Sequence, residues 1–265
     1  MQFHARKSPE ECLALVEGKH FYHAFNLANG LKFPGEWDIS KDIEGYRFPD
    51  MRGKRVLDLG PASGWFSFYL ESLGADVTVL ESRGYGDFDV YGVDRYTAPE
   101  RAPDRIVDGQ KLWDGPYSAS FWAMHEMLGS RVKFVNGKFY DAPELFTEPF
   151  DIVLACNILQ HVRDPIGVLR AAHAVCRGLC IVVHQTWSDH DDSPWPSAQY
   201  PFFHLDRISW AQPNKVLFEH WFKAAGFQSV NADHFVRSTP DQEHRNQEGI
   251  VTNAPFQLRL AHAVA

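Results

Sequence analysis

Val56-Leu57-Asp58-Leu59-Gly60-Pro61-Ala62-Ser63-Gly64 decides the fold: an apolar strand, interrupted by one acid, runs into a glycine turn that opens a helix. Gly60 and Gly64 remove side chains where backbone must approach a ligand closely. The helix expected over Ser63–Leu73 offers unpaired N–H groups and a partial positive charge at its start. The spacing is DxGxxxG with Pro61 after the first glycine, not the GxGxxG of dinucleotide sites. An amino-acid-bearing nucleoside therefore fits better than a pyrophosphate, because Asp58 attracts an ammonium, directly or through water, and repels a phosphate. The plain alternative is a turn that only packs helix on sheet.

Outward from that turn, short apolar runs alternate with helical patterns and no internal repeat or low-complexity linker intervenes, which argues for α/β. Strands are expected at Arg55–Leu59, Asp76–Leu80, Val132–Val135, Asp151–Cys156 and Leu179–His184, nearly all apolar, as in a parallel sheet covered on both faces. Further helices are expected at Tyr117–Leu128, from Asp164-Pro165 (an N-cap and a first-turn proline) to about Cys176, and from Pro213 to a stop at Gly226. Ser229–Val236 and Phe256–Val264, joined by polar Arg237–Asn253, suit an antiparallel hairpin at the sheet edge. Outside this wind lie residues 1–50, the loop Ser82–Gly115 and the aromatic-rich Gln185–Gln212. Loops over the carboxyl ends of the strands form the ligand crevice in such folds.

With 265 residues, 45% of them hydrophobic, the chain can bury one large core, and scattered Gly and Pro exclude collagenous or disordered classes. A formal charge of −8 lacks the positive excess that a sequence-independent grip on phosphates needs, so nucleic acid is a disfavoured partner. Four cysteines, Cys12, Cys156, Cys176 and Cys180, form no CxxC pair and read as reduced thiols. No signal peptide or membrane-length apolar run occurs, so a soluble, cytoplasmic protein is expected. Nothing in the composition speaks to oligomeric state.

Glu81 ends the second strand about 20 residues after the glycine turn, where an acid can accept both hydroxyls of a ribose. After the third strand, Asn136-Gly137-Lys138-Phe139-Tyr140-Asp141 brings two rings and a carboxylate to the crevice. There Asp141 can accept from an adenine amino group or simply cap a helix. His161, after the fourth strand, and His184, ending the fifth, are the candidate bases, since neutral imidazole is available near pH 7. Each also reads as a packing or capping residue. The rings of Trp187, Trp195, Tyr200, Phe202, Phe203, His204 and Trp210 suit a roof over an acceptor pocket, with a satellite core as the alternative. His184, His190, Asp191 and Asp192 match no metal-ligand spacing, so no metal is expected.

Taken in order from about residue 53, VLDLGPASGWFS, VTVLES, GKFYDAPE, FDIVLACNILQHVRDP and the closing helix and hairpin resemble the class I S-adenosylmethionine-dependent methyltransferases. The segments FDIVLACNILQHVRDPIGVLRAA and SWAQPNKVLFEHWFKAAGF are similar, more narrowly, to the tRNA wobble-uridine (5-methoxyuridine or 5-oxyacetic acid) methyltransferase-like group. The resemblance implies a Rossmann-like, mostly parallel seven-stranded sheet with a C-terminal antiparallel hairpin. It implies a cofactor, S-adenosylmethionine, whose methionine end lies at Asp58, Gly60 and Gly64, its ribose at Glu81 and its adenine at Tyr140 and Asp141. The Cys156-Asn157 backbone then lies beside the sulfonium. It further implies an extension, residues 1–50, that caps the acceptor site through Tyr22, His23 and Trp37, ahead of a cofactor-binding domain over 51–265. Gln160 stands where carboxymethyl-transferring members carry Tyr, and Pro255-Phe256-Gln257 where they carry Arg, which favours ordinary methyl transfer.

The expected activity is O- or N-methylation of a small aromatic or planar molecule, with Tyr200, Phe203 and His204 on the acceptor. The alternatives are a tRNA wobble-uridine methyltransferase and a methyltransferase-fold module that binds without turnover. A nicotinamide-dependent oxidoreductase is disfavoured by the DxGxxxG spacing and by the lack of a Tyr-x-x-x-Lys pair.

Overall fold

In the computed structural model the described residues are 1–81, 106–107, 110–111, 118–200, 210–241, 244–245, 251–252 and 256–265. Strands β1 (Arg55–Leu59), β2 (Asp76–Glu81), β3 (Lys133–Asn136), β4 (Phe150–Cys156) and β5 (Cys176–His184) run parallel. Between and after them lie α1 (Trp65–Ser72), α2 (Ser118–Leu128), α3 (Pro165–Val175) and α4 (Lys215–Ala225). The hairpin strands β6 (Ser229–Ser238) and β7 (Phe256–Val264) complete one seven-stranded sheet of order β6-β7-β5-β4-β1-β2-β3. The later strand of the hairpin is thus inserted against β5, pairing antiparallel from Leu179↔Val264 to His184↔Arg259, and β6 takes the edge.

The order reverses at β1, whose neighbours are β2 and β4, so the crevice opens at the carboxyl ends of β1 and β4. Period-two alternation divides the sheet into two cores. Val56, Val77, Val79, Ile152, Leu154, Ile181 and Val183 face one core with Trp65, Phe66 and Phe68 of α1 and Phe121 of α2. Phe3, Phe25 and Tyr46 of the N-terminal extension join that same core. Leu57, Leu59, Leu80, Val153, Ala155 and Val182 face the other, with Val168 and Leu169 of α3 and Phe218 and Phe222 of α4.

Asp164 caps α3 as expected, its Oδ1 accepting from the Gly167 N–H at 2.7 Å ahead of Pro165. The next helix starts two residues later than the proline implied. Asn214 is its N-cap, accepting from Leu217 N–H at 3.0 Å, while Pro213 lies in a short strand paired with residues 198–199. Gly226 ends that helix in the left-handed conformation at φ 110°. Among the described residues no helix is long and apolar enough to cross a membrane.

Candidate active site

Register fixes the floor of the crevice. Leu59 of β1 lies level with Leu80 of β2 and Ala155 of β4, so Gly60, Glu81 and Cys156 share the next level at the carboxyl edge. Alternation turns Asp58, Glu81 and Cys156 toward the face covered by the extension and α1. Asp58 is 2% exposed, and its Oδ2 accepts from the Ser67 hydroxyl of α1 at 2.6 Å. Burial pushes its carboxyl up to about 7, an effect the Ser67 bond opposes. Glu81 is likewise buried, and its carbonyl holds the Gly137 N–H at 3.0 Å, which ties the second acidic position to the loop after β3.

Three left-handed residues shape the turn after β1: Gly60 (φ 73°), Ala62 (φ 49°) and Gly64 (φ 83°). A Cβ at Gly60 would lie 2.4 Å from Ile158 Cγ2, and one at Gly64 2.5 Å from Phe68 and 2.7 Å from Phe121. Both glycines are therefore required by conformation and by close packing. On the far side of β2, Tyr140 and Asp141 lie in a short turn after β3. The Tyr140 hydroxyl accepts from the Asp164 N–H at 3.4 Å, bracing the start of α3. Asp141 makes no capping hydrogen bond to the helical turn it precedes, so the capping alternative is not realised.

The extension supplies the opposite wall. It is held to the sheet edge by Arg47 Nη1, 2.6 Å from His234 Nε2, by Asp38 N–H to Thr239 O at 2.8 Å, and by Asp42 accepting from the Arg237 N–H. Tyr22 and Tyr46 come within electrostatic range of Cys156, and Cys156 within range of Asp58. Burial raises the Tyr22 phenol, Glu36 adds to the effect and the Trp37 indole opposes it by hydrogen bonding. Burial also raises Tyr46 and Cys156 well above their ordinary values, and Asp58 adds to the second. Four acids thus stand together, each disfavoured in its charged form by desolvation.

His23 and Trp37 serve the extension itself. They are paired in a parallel bridge, and His23 sits edge-on to Phe66 at 5.8 Å with its Nδ1 buried and without a partner. Burial lowers the His23 imidazole to about 3, so it is neutral. Of the three sequence-derived acceptor residues here, Tyr22 is the one brought to Cys156.

After β4 the chain breaks sharply at Asn157, a left-handed residue (φ 56°) whose N–H bonds Val183 O at 2.8 Å. His161 then ends a three-residue turn, half-buried, with Nε2 3.3 Å from Gln160 Nε2. His184 corrects the expectation. It is fully buried on the α4 face, its ring stacked on Phe218 at 5.5 Å, with the Ala211 backbone within reach of the imidazole. Burial lowers it to about 3, an effect the Ala211 backbone opposes and His161 reinforces, so it is a neutral histidine packed beneath α4 and closed off from solvent.

The loop after β5 is anchored by the fully buried Asn214, whose Nδ2 donates to His190 O (3.1 Å) and Trp195 O (3.0 Å). Asp191 is engaged by Arg259 and by the Lys215 N–H, which leaves no carboxylate set for a cation; no metal-binding group occurs among the described residues. Tyr200 is 55% exposed, and Phe203 and His204 lie outside the described residues. Sequence reasoning missed Tyr46, Ser67 and Ile158. A lone serine on the otherwise apolar buried face of α1, nine residues after Asp58, was the available signal for Ser67; Tyr46 sits in an irregular segment and carried none.

A family model described as a methyltransferase domain matches residues 38–232. The tRNA U34 carboxymethyltransferase of Desulforapulum autotrophicum is 23% identical over 221 residues, covering 82% of this chain and 58% of that protein. That of Pseudomonas paraeruginosa is 26% identical over 179 residues, 67% of this chain and 46% of its own length. The chain thus spans about half the length of the curated relatives it matches. Among solved structures, the N-terminal domain of EvdMO1 with SAH bound superposes with a TM-score of 0.61 at 15% identity, covering 98% of each chain. The same domain with SAH and D-fucose gives 0.59 at 14% identity, covering 97% of this chain and 96% of that one.

Proposed function

Since this chain belongs to the methyltransferase-domain family and its cofactor is S-adenosylmethionine, we propose that it methylates O or N of a small aromatic or planar acceptor. The observation that carries the reading is the group of Asp58 and Tyr46, both buried, with the half-buried Tyr22 and Cys156, in each of which desolvation disfavours the charged form. Such a site favours a ligand that brings positive charge. When bound, S-adenosylmethionine supplies an electrophilic methyl group on a positively charged sulfonium. Asp58 receives the ammonium, Glu81 the ribose hydroxyls and Asp141 the adenine amino group, while the turn from Gly60 to Gly64 admits the backbone approach. Transfer is an in-line displacement, so the remaining work is alignment and removal of the acceptor's proton. Tyr22 and Tyr46 offer neutral hydrogen bonds to the acceptor, and His161 Nε2 takes its proton.

A small acceptor is favoured over RNA by the formal net charge of −8, and part of the described positive charge is already paired. Lys7, Lys41, Arg52, Arg55, Arg131, Lys133, Arg177, Lys215 and Arg259 each have a carboxylate partner. A tRNA wobble uridine is the second reading, favoured by the names of the curated relatives. We assign the reaction to the cytoplasm, where Cys12, Cys156, Cys176 and Cys180 stay free thiols. Calorimetric titration with S-adenosylmethionine, its demethylated product and NAD tests the cofactor: heat from the first two and none from NAD is expected. A salt series of tRNA filter binding tests the acceptor class. Micromolar binding with a steep salt slope would reverse the order of the two readings.

A further inference from the structure

Ser63 belongs to two structures at once. Its backbone lies in the donor turn, between Ala62 (φ 49°) and Gly64 (φ 83°), and its hydroxyl belongs to the acceptor wall. Ser63 is fully buried; its Oγ accepts from the Tyr22 N–H at 2.8 Å and lies 3.0 Å from Ser120 Oγ on α2. Tyr22 is one of two extension residues within electrostatic range of Cys156, so this bond ties the turn to the acceptor wall.

We propose that Ser63 is a positioning residue that couples the two halves of the site, so that filling the donor turn fixes Tyr22 and thereby forms the acceptor wall. The argument rests on the donor-site reading above. A turn with successive left-handed positions, one of them alanine, is a conformation the chain holds at a cost. A ligand on the turn's N–H groups favours that conformation over its competitors. Each increment of order in the turn then holds Ser63 Oγ at bonding distance from the Tyr22 amide, and the acceptor meets a formed wall only after the donor is in place.

The test is hydrogen exchange of the peptide spanning residues 19–27, in the full chain, without and with saturating S-adenosylhomocysteine, whose binding is measured separately by calorimetry. In the unaltered protein the Tyr22 amide exchanges at least tenfold more slowly once the ligand is bound. In Ser63→Ala, saturated according to its own calorimetric Kd, the ligand-dependent slowing at 19–27 is lost. Ser120→Ala, which removes the other bond of Ser63 but not the one to Tyr22, retains it. A merely structural serine would speed exchange equally in the free and bound states and leave their ratio unchanged. The proposal is overturned if ligand binding leaves exchange at 19–27 unaltered in the native protein, if Ser63→Ala keeps the slowing, or if Ser120→Ala loses it as fully. Absence of any calorimetric heat in the native protein overturns the donor reading itself, and the coupling with it.

Discussion

On the donor side of the crevice, Asp58, Gly60 and Glu81 are placed by strand register, each at a fixed level of a parallel sheet. On the acceptor side, Tyr22 and Tyr46 arrive on an extension whose regular structure is one eight-residue helix, Pro9–Val16, followed by two-residue strands and short 3-10 turns, and which is pinned to the sheet by individual hydrogen bonds. A register is shared by many backbone bonds and tolerates the loss of any one. A wall hung on single side chains does not. Substitutions on the donor side should therefore act on one ligand group at a time, whereas those on the acceptor side should alter several contacts together.

The largest effect expected is Glu81→Ala. Removing two charge-assisted hydrogen bonds costs about 3–6 kcal/mol of donor affinity, roughly 10²–10⁴-fold in Kd, with the far-ultraviolet spectrum unchanged. Undiminished affinity in the folded variant would break the donor half of the comparison. His161→Ala is next: kcat falls roughly 10²–10⁴-fold while donor affinity stays. If His161 only packs, the loss appears instead as about 0.5–2 kcal/mol of stability.

Asp58→Asn sharpens the contrast through pH. The folded carboxyl is raised to about 7 by burial, above the value near 4 of an unfolded chain. The contribution of Asp58 to stability is therefore fully present below pH 4 and is lost as pH rises through 7. At pH 8 the ligand-free variant should melt at higher temperature than the parent, by up to about 4 kcal/mol, with the gain shrinking toward pH 4. The same variant should bind the donor more weakly, so stability and affinity move in opposite directions. Equal melting temperatures at pH 8 would mean that Asp58 is not desolvated.

Tyr46→Phe carries the smallest expected effect: about 0.5–1.5 kcal/mol, seen as a rise of up to roughly tenfold in acceptor KM with donor Kd unmoved. A change in donor Kd alone would assign Tyr46 to the wrong half.

How much of this was legible follows the same division. β1 coincides with its expected bounds, and β2, β4 and β7 differ by one residue or none, because continuous apolar runs ended by Gly or an acid leave few alternatives. The places of Asp58, Gly60 and Glu81 at the carboxyl edge of the sheet were legible for the same reason. His184 was misassigned although alternation held the answer. Val183 faces the extension side with Ile181, so His184 must face the α4 side with Val182, away from Asp58 and Cys156. Tyr46 and the Ser63–Tyr22 bond were not legible, since both depend on where an irregular segment settles, and periodicity carries no information about that.

The placement of β7 has a consequence for biosynthesis. Among the described residues, 256–264 are the one sheet partner of β6, and they also cover the edge of β5. While the chain emerges from the ribosome, the turn at Gly60 and all five parallel strands are complete before that segment exists, so the nascent protein carries a buried-type apolar strand, β5, as a bare edge. Until residues 256–264 add on, that edge is a template for another chain, which makes the interval between synthesis of β5 and of β7 the time of greatest risk of misassembly.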